Sequence, residues 1–333
     1  MNAPKVDELD YIQFLIAAQR VFTCTEAAAC QPEQSEPPAH DAFTRLLSRQ
    51  PPDTAALWQE VRSLVRRRAG ALLLDDSTLD KPYARQMDLV TRHWSGKHHR
   101  VVLGINLISL VWTDGDTLLP CDFRLYDKPV GGLNKNEHAR AMLAEAHQRG
   151  FRPQIVAFDG WYASLENLKT IRTYQWPWFT RLKGNRLVNP DDTGNVPLST
   201  LAIPPEGQVV HLKGYGFIRV FRTVAPDGDA EYWATSDLAM SEAQRAEWAR
   251  QAFGIESYHR GLKQCCGIEK CQAQLEAAQR GHIQLALRAF VRLEAHWLRT
   301  GVSWYAAKTD IIRTAVREYL AHPRYTLVSD PTA

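Results

Sequence analysis

What the chain has little of narrows the field first. No apolar run approaches the ~20 residues needed to span a bilayer, and the N-terminal MNAPKVDELD has neither a basic n-region nor an apolar h-region. Membrane insertion and a secretory signal are therefore not expected, and a cytoplasmic location is. Cysteine is sparse, with six residues at Cys24, Cys30, Cys121, Cys265, Cys266 and Cys271. None follows a zinc-ligand spacing, and the adjacent Cys265–Cys266 pair suits reduced thiols better than a disulfide framework. Charge of one sign is also lacking: the net charge is +3 and the pI about 8.5. Such mild basicity permits nucleic-acid binding without arguing for it, so local clusters must carry that case. No internal repeat or low-complexity segment stands out. What is left is a globular composition, 45% hydrophobic and 23% charged over 333 residues. That is enough for a sizeable core in one large domain or a few smaller ones.

The stretch ALLLDDSTLDKP, 71–82, stands out. A short continuous apolar run reads as a strand buried on both faces, and here it runs into Asp75 and Asp76. Carboxylates at a core strand are costly unless a metal or a partner compensates them. The same feature recurs in PQIVAFD, 153–159, a second buried strand ending in Asp159. If the two strands are neighbours, their acids converge at one end of a sheet. Two like charges about 4 Å apart repel by several kcal/mol at an effective dielectric of ~20, and divalent cations between them relieve that repulsion. Oxygen-only ligands favour Mg²⁺ or Mn²⁺ over zinc, and a two-metal site suits displacement at phosphorus.

A third acid is then needed, and Glu256 in GIESYHRGLKQ supplies it. Offsets of three, four and seven place His259, Arg260 and Lys263 on the same helical face. Over the ~10 Å from Glu256 to Lys263, that face can hold a metal at one end and phosphates at the other. An ordinary Glu–Arg pair on a solvated helix satisfies the same spacing, and the two aspartates decide against it. Glu269 is the competing third acid.

Around these motifs the chain reads in order as follows. Residues 1–69 are helical: DYIQFLIAAQRVF with Tyr11, Phe14, Leu15, Ala18 and Phe22 inward, a polar connection over 25–39, then HDAFTRLL. A third helix follows from an N-cap at Asp53 through TAALWQEVRSLVRRR. Its Arg66, Arg67 and Arg68 form a candidate phosphate-contacting patch on a small DNA-binding domain. After the first acidic strand come a strand at 101–112, a turn at TDGD and a third strand, TLLPCDFRLY, where Pro120 signals a sheet edge or a bulge. A helix covers 136–150 and stops at a glycine, a second covers 162–174, and WPWFTRLK, 176–183, is a strand. Between 187 and 240, QVVHLK, FIRVFRTV and EYWATS are short strands separated by turns such as Pro226-Asp227-Gly228, a β-rich insertion. Helix resumes after Ser241 and continues through the last third. There Ile283, Leu287, Phe290 and Trp297 face inward, and Arg288, Arg292, His296 and Arg299 line another face.

LLLDDST, FDGWYAS, WFTRLKGNRLV and the Ile255-Glu256 pair with Lys263, in this order, resemble a DDE-type transposase of a bacterial insertion sequence. The likeness is to the insertion-sequence-four-like superfamily, which carries a β-rich insertion between the second Asp and the Glu. The resemblance covers about 70–270 and implies an α/β, ribonuclease H-like mixed sheet with helices on both faces. The implied layout is a helical, DNA-binding 1–69, a catalytic domain over 70–186 and 241–275, the insertion over 187–240, and a C-terminal helical region, 276–333. It implies catalytic and metal-binding roles for Asp76 or Asp75, Asp159 and Glu256, with two Mg²⁺ ions (Mn²⁺ as a substitute). Double-stranded DNA at the element ends and target DNA are the implied partners, held by a synaptic homodimer. Lys263 matches the lysine of the family's Tyr-Arg-Glu-Lys signature, whereas Ala249 and Ala252 stand where its tyrosine and arginine would be, with Arg250 as a possible substitute. Arg260, His259, Lys183, Asn185, Arg186, Trp161 and Tyr162 are the further DNA-contacting candidates, together with Trp233 and the basic run Lys97, His98, His99, Arg100. A nuclease of the same fold that cuts without joining and an inactive DNA-binding remnant are the alternatives.

Overall fold

Four short helices open the chain: α1 (Glu8–Ala17), α2 (Cys24–Ala29), α3 (His40–Ser48) and α4 (Ala55–Val61). Strands β1 (Ala71–Asp80), β2 (Thr91–Ser95), β3 (Arg100–Thr113) and β4 (Leu118–Tyr126) follow. Next come α5 (Lys135–Gln148), β5 (Ile155–Phe158), α6 (Leu165–Thr173) and β6 (Trp178–Leu182). The strands β7 (Leu187–Asn189), β8 (Val196–Pro197), β9 (Gln208–Leu212), β10 (Gly216–Val224) and β11 (Ala230–Thr235) lead into four closing helices. These are α7 (Glu242–Ala252), α8 (Gly254–Cys265), α9 (Glu276–Thr300) and α10 (Trp304–Ala321). This computed structural model describes residues 4–33, 35–51, 54–95, 99–127, 132–225 and 228–325. Asp53, Lys97, His98 and the Pro226-Asp227 turn lie outside the described residues.

Five strands centred on β1 have the order β4-β3-β1-β5-β6. β3 is antiparallel to β1 and to β4, whereas β5 and β6 run parallel to β1. That order and those senses are ribonuclease H-like. Pro120 sits on β4 where the β3–β4 register shifts between Leu110 and Val111, so the bulge read from the proline is present. The inserted strands are not a separate body. β11 pairs antiparallel with β6 and carries β10, β9, β7 and β8 behind it, continuing the same sheet.

Successive side chains on β1 face opposite ways. Asp75 lies near His259 of α8 and Asp76 meets Lys135 of α5, so these helices cover opposite faces of the sheet. One apolar core runs from Val6 to Leu293 and takes in both helical ends of the chain. α1, α3 and α4 pack along α9. Among the described residues no helix is long and apolar enough to cross a membrane. All six cysteines are free thiols.

Several element boundaries differ from the sequence reading. β1 does not stop at its acids but continues to Asp80, because antiparallel β3 supports it along its whole length, Ala71↔Thr113 through Asp80↔Gly104. The 25–39 connection contains α2, capped by Thr23 onto the Glu26 amide. α4 ends at Val61, and the arginines beyond it lie in the non-helical connection to β1. Arg66 reaches Asp114 at 2.6 Å and Arg67 donates to the Arg149 carbonyl at 2.9 Å. They flank the N-terminal end of β1, away from the acids. The helix after Ser241 breaks at Phe253 into α7 and α8, and Trp297 is only half-buried.

Candidate active site

The site forms where a parallel ladder runs out. β5 pairs with β1 as far as Leu74↔Phe158 and then stops. Asp75 and Asp159 are the next residues on each chain, brought level at the end of β5. Asp159 turns the chain as the cap of a 3-10 turn at Gly160–Tyr162, its Oδ1 accepting from the Gly160 amide at 2.6 Å. From the other side α8 contributes Glu256, exposed in its first turn. All four acids, Asp75, Asp76, Asp159 and Glu256, line one cleft of about 1730 Å³.

The two neighbouring aspartates have opposite environments. Asp76 is held by three donors: Lys135 Nζ and Asn106 Nδ2 at 2.7 Å on Oδ2, and the Tyr162 hydroxyl at 2.7 Å on Oδ1. Burial alone would raise its pKa. The Lys135 charge and these hydrogen bonds more than reverse that, leaving the carboxyl below its ordinary value. Asp75 accepts no side-chain hydrogen bond among the described residues. Burial, then the charge of Asp76, with Asp159 and Glu256 adding, pushes its pKa well above the carboxylate range. His259 Nδ1 lies 3.9 Å from Asp75 Oδ2. Burial, helped by the charge of Lys263, lowers the imidazole to about 4, so it is neutral and does not compensate Asp75. Among the described residues its Nε2 has no hydrogen-bond partner.

The sequence pattern of one family, described as DDE superfamily endonuclease, matches residues 10–202. The chain belongs to the DDE superfamily endonucleases. The match includes Asp75, Asp76 and Asp159 and ends before Glu256, so the third acid rests on the site's own geometry. No curated protein sequence matches the chain. Among solved structures, a piggyBac transposase synaptic complex with hairpin DNA is similar at 10% identity and a TM-score of 0.48, over 97% of this chain and 84% of that one. A Drosophila P element transposase strand transfer complex follows at 8% identity and a TM-score of 0.29, over 99% and 76%.

Placement of the remaining candidates is uneven. Glu256, His259, Arg260 and Lys263 all line the cleft, as their spacing predicts. Arg260 is exposed, and no ion pair to it is present among the described residues. Lys263 is occupied: its Nζ donates to the Thr78 carbonyl at 2.8 Å and lies 3.7 Å from Glu269, the competing acid. His259 and Tyr162 are buried, so neither presents a surface to DNA. Trp161 is 63% exposed on the cleft rim. Trp233 also lines the cleft, stacked on Phe179 at 4.9 Å with the Arg181 guanidinium 5.4 Å from its ring. Lys183 and Asn185 are exposed but off the cleft wall, and Arg186 donates to the Ala163 carbonyl at 3.2 Å. Arg250 pairs with Glu247 at 2.6 Å beside the β3–β4 turn, so it does not replace the signature arginine. Ala249 and Ala252 do line the cleft at the expected signature positions. His99 and Arg100 are exposed. On α9, Arg288 and Arg292 are spent on Glu8 and Glu60, not on a ligand.

Sequence reasoning missed Lys135 and Asn106. Asn106 was visible as the one amide inside an apolar strand. Lys135 carried no such mark.

An all-oxygen donor set whose charges raise one another suits a hard divalent cation. Among the described residues, no three His, Cys, Asp or Glu side chains are gathered closely enough to hold an ion. The donor chemistry fits a metal, whereas the carboxylates stand within electrostatic reach without being drawn to one point.

Proposed function

We propose that this endonuclease is the transposase of an insertion-sequence-four-like element, cutting DNA at the element ends and joining the cut ends to target DNA. The observation that carries the reading is geometric: Asp75, Asp76, Asp159 and Glu256, from a strand, a strand end and a helix, line one open cleft. Acids brought together in this way serve no packing purpose. Asp75 or Asp76, Asp159 and Glu256 would hold two Mg²⁺ or Mn²⁺ ions, which would supply activation of a water or a DNA 3′-hydroxyl and stabilisation of the leaving oxygen. The chain's own residues bind and orient. Arg260 and Trp161 on the rim are placed to meet backbone and base, and Tyr162 ties the turn after Asp159 to the β1 strand through Asp76. The first acid comes from the Asp75–Asp76 pair. Asp75 lies level with Asp159 and accepts from no side chain among the described residues, and Asp76 lines the same cleft, held by Lys135. Two copies, one at each element end, would bring the ends together.

The test is a strand-transfer assay with Mg²⁺ and a pre-cleaved end. Asp159→Asn and Glu256→Gln are each expected to lower joining by ~10³-fold or more while leaving DNA binding intact. Asp75→Asn and Asp76→Asn run beside them to identify the first acid. Cutting without joining by the unaltered chain would make it a nuclease, and unchanged activity in Asp159→Asn would remove the site assignment.

A further inference from the structure

One cation is built into the acid cluster. Lys135 Nζ lies 2.7 Å from Asp76 Oδ2, with both side chains about four-fifths buried, at 20% and 18% exposure. The ammonium also stands 5.7 Å from the Tyr126 ring. Its backbone is fixed, because Lys135 is the first residue of α5 and Asn134 caps that helix in a reciprocal box with Glu137. A lysine in the first helical turn meets the positive end of the helix dipole, where an acid would be favoured. Helix formation therefore does not explain the residue, whereas Asp76 does. The other basic groups of the cleft are not equivalent: Lys263 is held by Thr78 and Glu269, Arg181 pairs with Glu231, and Arg260 and Lys270 are at the surface.

With Asp76 among the metal's ligands, the oxygen that Lys135 occupies is one that a divalent cation would need. A hard cation binds carboxylate oxygen at roughly 2.0–2.6 Å, and an ammonium on that same oxygen would face it across a few ångströms of low dielectric. Lysine is a compact charge on a flexible stem, so it can leave without disturbing α5, and the cleft gives it space. We propose that Lys135 is an exchangeable counterion: it and a divalent cation compete for Asp76, so metal entry and release of the ammonium into the cleft are one event. The inference rests on the acid cluster being the metal site.

The experiment measures Mn²⁺ binding to the full chain without DNA, by electron paramagnetic resonance of free Mn²⁺, alongside the Mn²⁺-induced shift in Tm. Lys135→Met and Lys135→Gln, the second keeping a hydrogen-bond donor, are expected to bind Mn²⁺ about tenfold tighter or more. Both should show a larger Tm shift than the unaltered chain. Lys135→Arg, which keeps the charge, should stay within about threefold of it. Equal or weaker binding in both the Met and Gln variants overturns the proposal. Asp159→Asn separates the two levels. If it leaves Mn²⁺ affinity unchanged, the acid cluster is not the metal site and the counterion role falls with it. If it weakens binding while the Lys135 variants bind no tighter, only the counterion role fails.

Discussion

Asp75, Asp76 and Glu294 are three carboxyl groups of one chain, and their surroundings set three different chemistries. Asp76 stays ionised among donors, and Asp75 is pushed towards its neutral form by burial and by its fellow acids. Glu294 is fully buried on α9, and neither of its oxygens closes a well-formed hydrogen bond, although the Leu118 amide and the Trp304 side chain are the donors beside it. Burial raises its pKa to about 8, with the nearby charge of Asp114 adding to the effect. The folded state therefore holds this proton up to about pH 8, whereas the unfolded chain releases it near 4.5. Between those values the folded state binds more protons, so stability falls as pH rises, by up to ~1.4 kcal/mol per pH unit for this group. Its contribution is complete below about 4.5 and lost by about 8. Glu294→Gln is expected to flatten that part of the profile and to raise Tm at pH 8 relative to the unaltered chain. Thermal unfolding of both proteins from pH 5 to 8.5 measures the difference. Parallel profiles would place Glu294 in contact with solvent or a compensating cation.

At the scale of elements, the strands were legible and the joints were not. The runs around Asp75 and Asp159 show as strands because burial on both faces demands continuous apolar residues, and the β-rich stretch after 187 because its short runs are bounded by turn residues. The pairing of β11 with β6, which makes the insertion part of the catalytic sheet, depends on which edge is left open, and no local pattern records that. Likewise Glu256, His259, Arg260 and Lys263 share a face by spacing alone, yet the loss of Lys263 to Thr78 and Glu269 required the fold to bring β1 beside α8. Lys135 was missed for the same reason: its partner lies 59 residues away on another element. Close approaches are written in glycines, which are easier to read afterwards than before. Gly281 lets α9 touch the end of α3, where an added Cβ would lie 2.1 Å from the Leu47 carbonyl oxygen. A backbone atom cannot rotate away as a side chain can, so α3 would have to shift. Gly281→Ala is expected to destabilise the protein by about 1–3 kcal/mol or more despite the better helix propensity of alanine. Denaturant unfolding gives the number, and a neutral result would show that α3 slides freely along α9.

At the scale of the molecule, the two ends of the chain hold each other. Arg288 of α9 reaches Glu8 at 2.6 Å and Glu60 at 2.8 Å, from opposite ends of the N-terminal region. Lys308 of α10 donates to the carbonyls of Ile16, Ala18 and Cys265, closing the ends of α1 and α8 together. Buried and neutral, His282 accepts from the Tyr11 hydroxyl and donates to the Gly267 carbonyl. Removing residues 1–69 would uncover the apolar side of α9, leave Arg288 without either carboxylate and open three carbonyl or ring contacts. An uncompensated buried charge alone costs about 3–5 kcal/mol, comparable with much of the ~5–15 kcal/mol that holds a domain folded. The 70–333 fragment is therefore expected to be insoluble or to lack a cooperative transition, whereas the full chain unfolds in a single one. Circular dichroism melts and sedimentation of the two proteins decide it. A soluble fragment with its own sharp transition would show that the N-terminal helices form an independent unit that merely rests on α9. In that event the acid cluster, whose four carboxylates all lie beyond residue 69, should bind Mn²⁺ in the fragment as tightly as in the full chain.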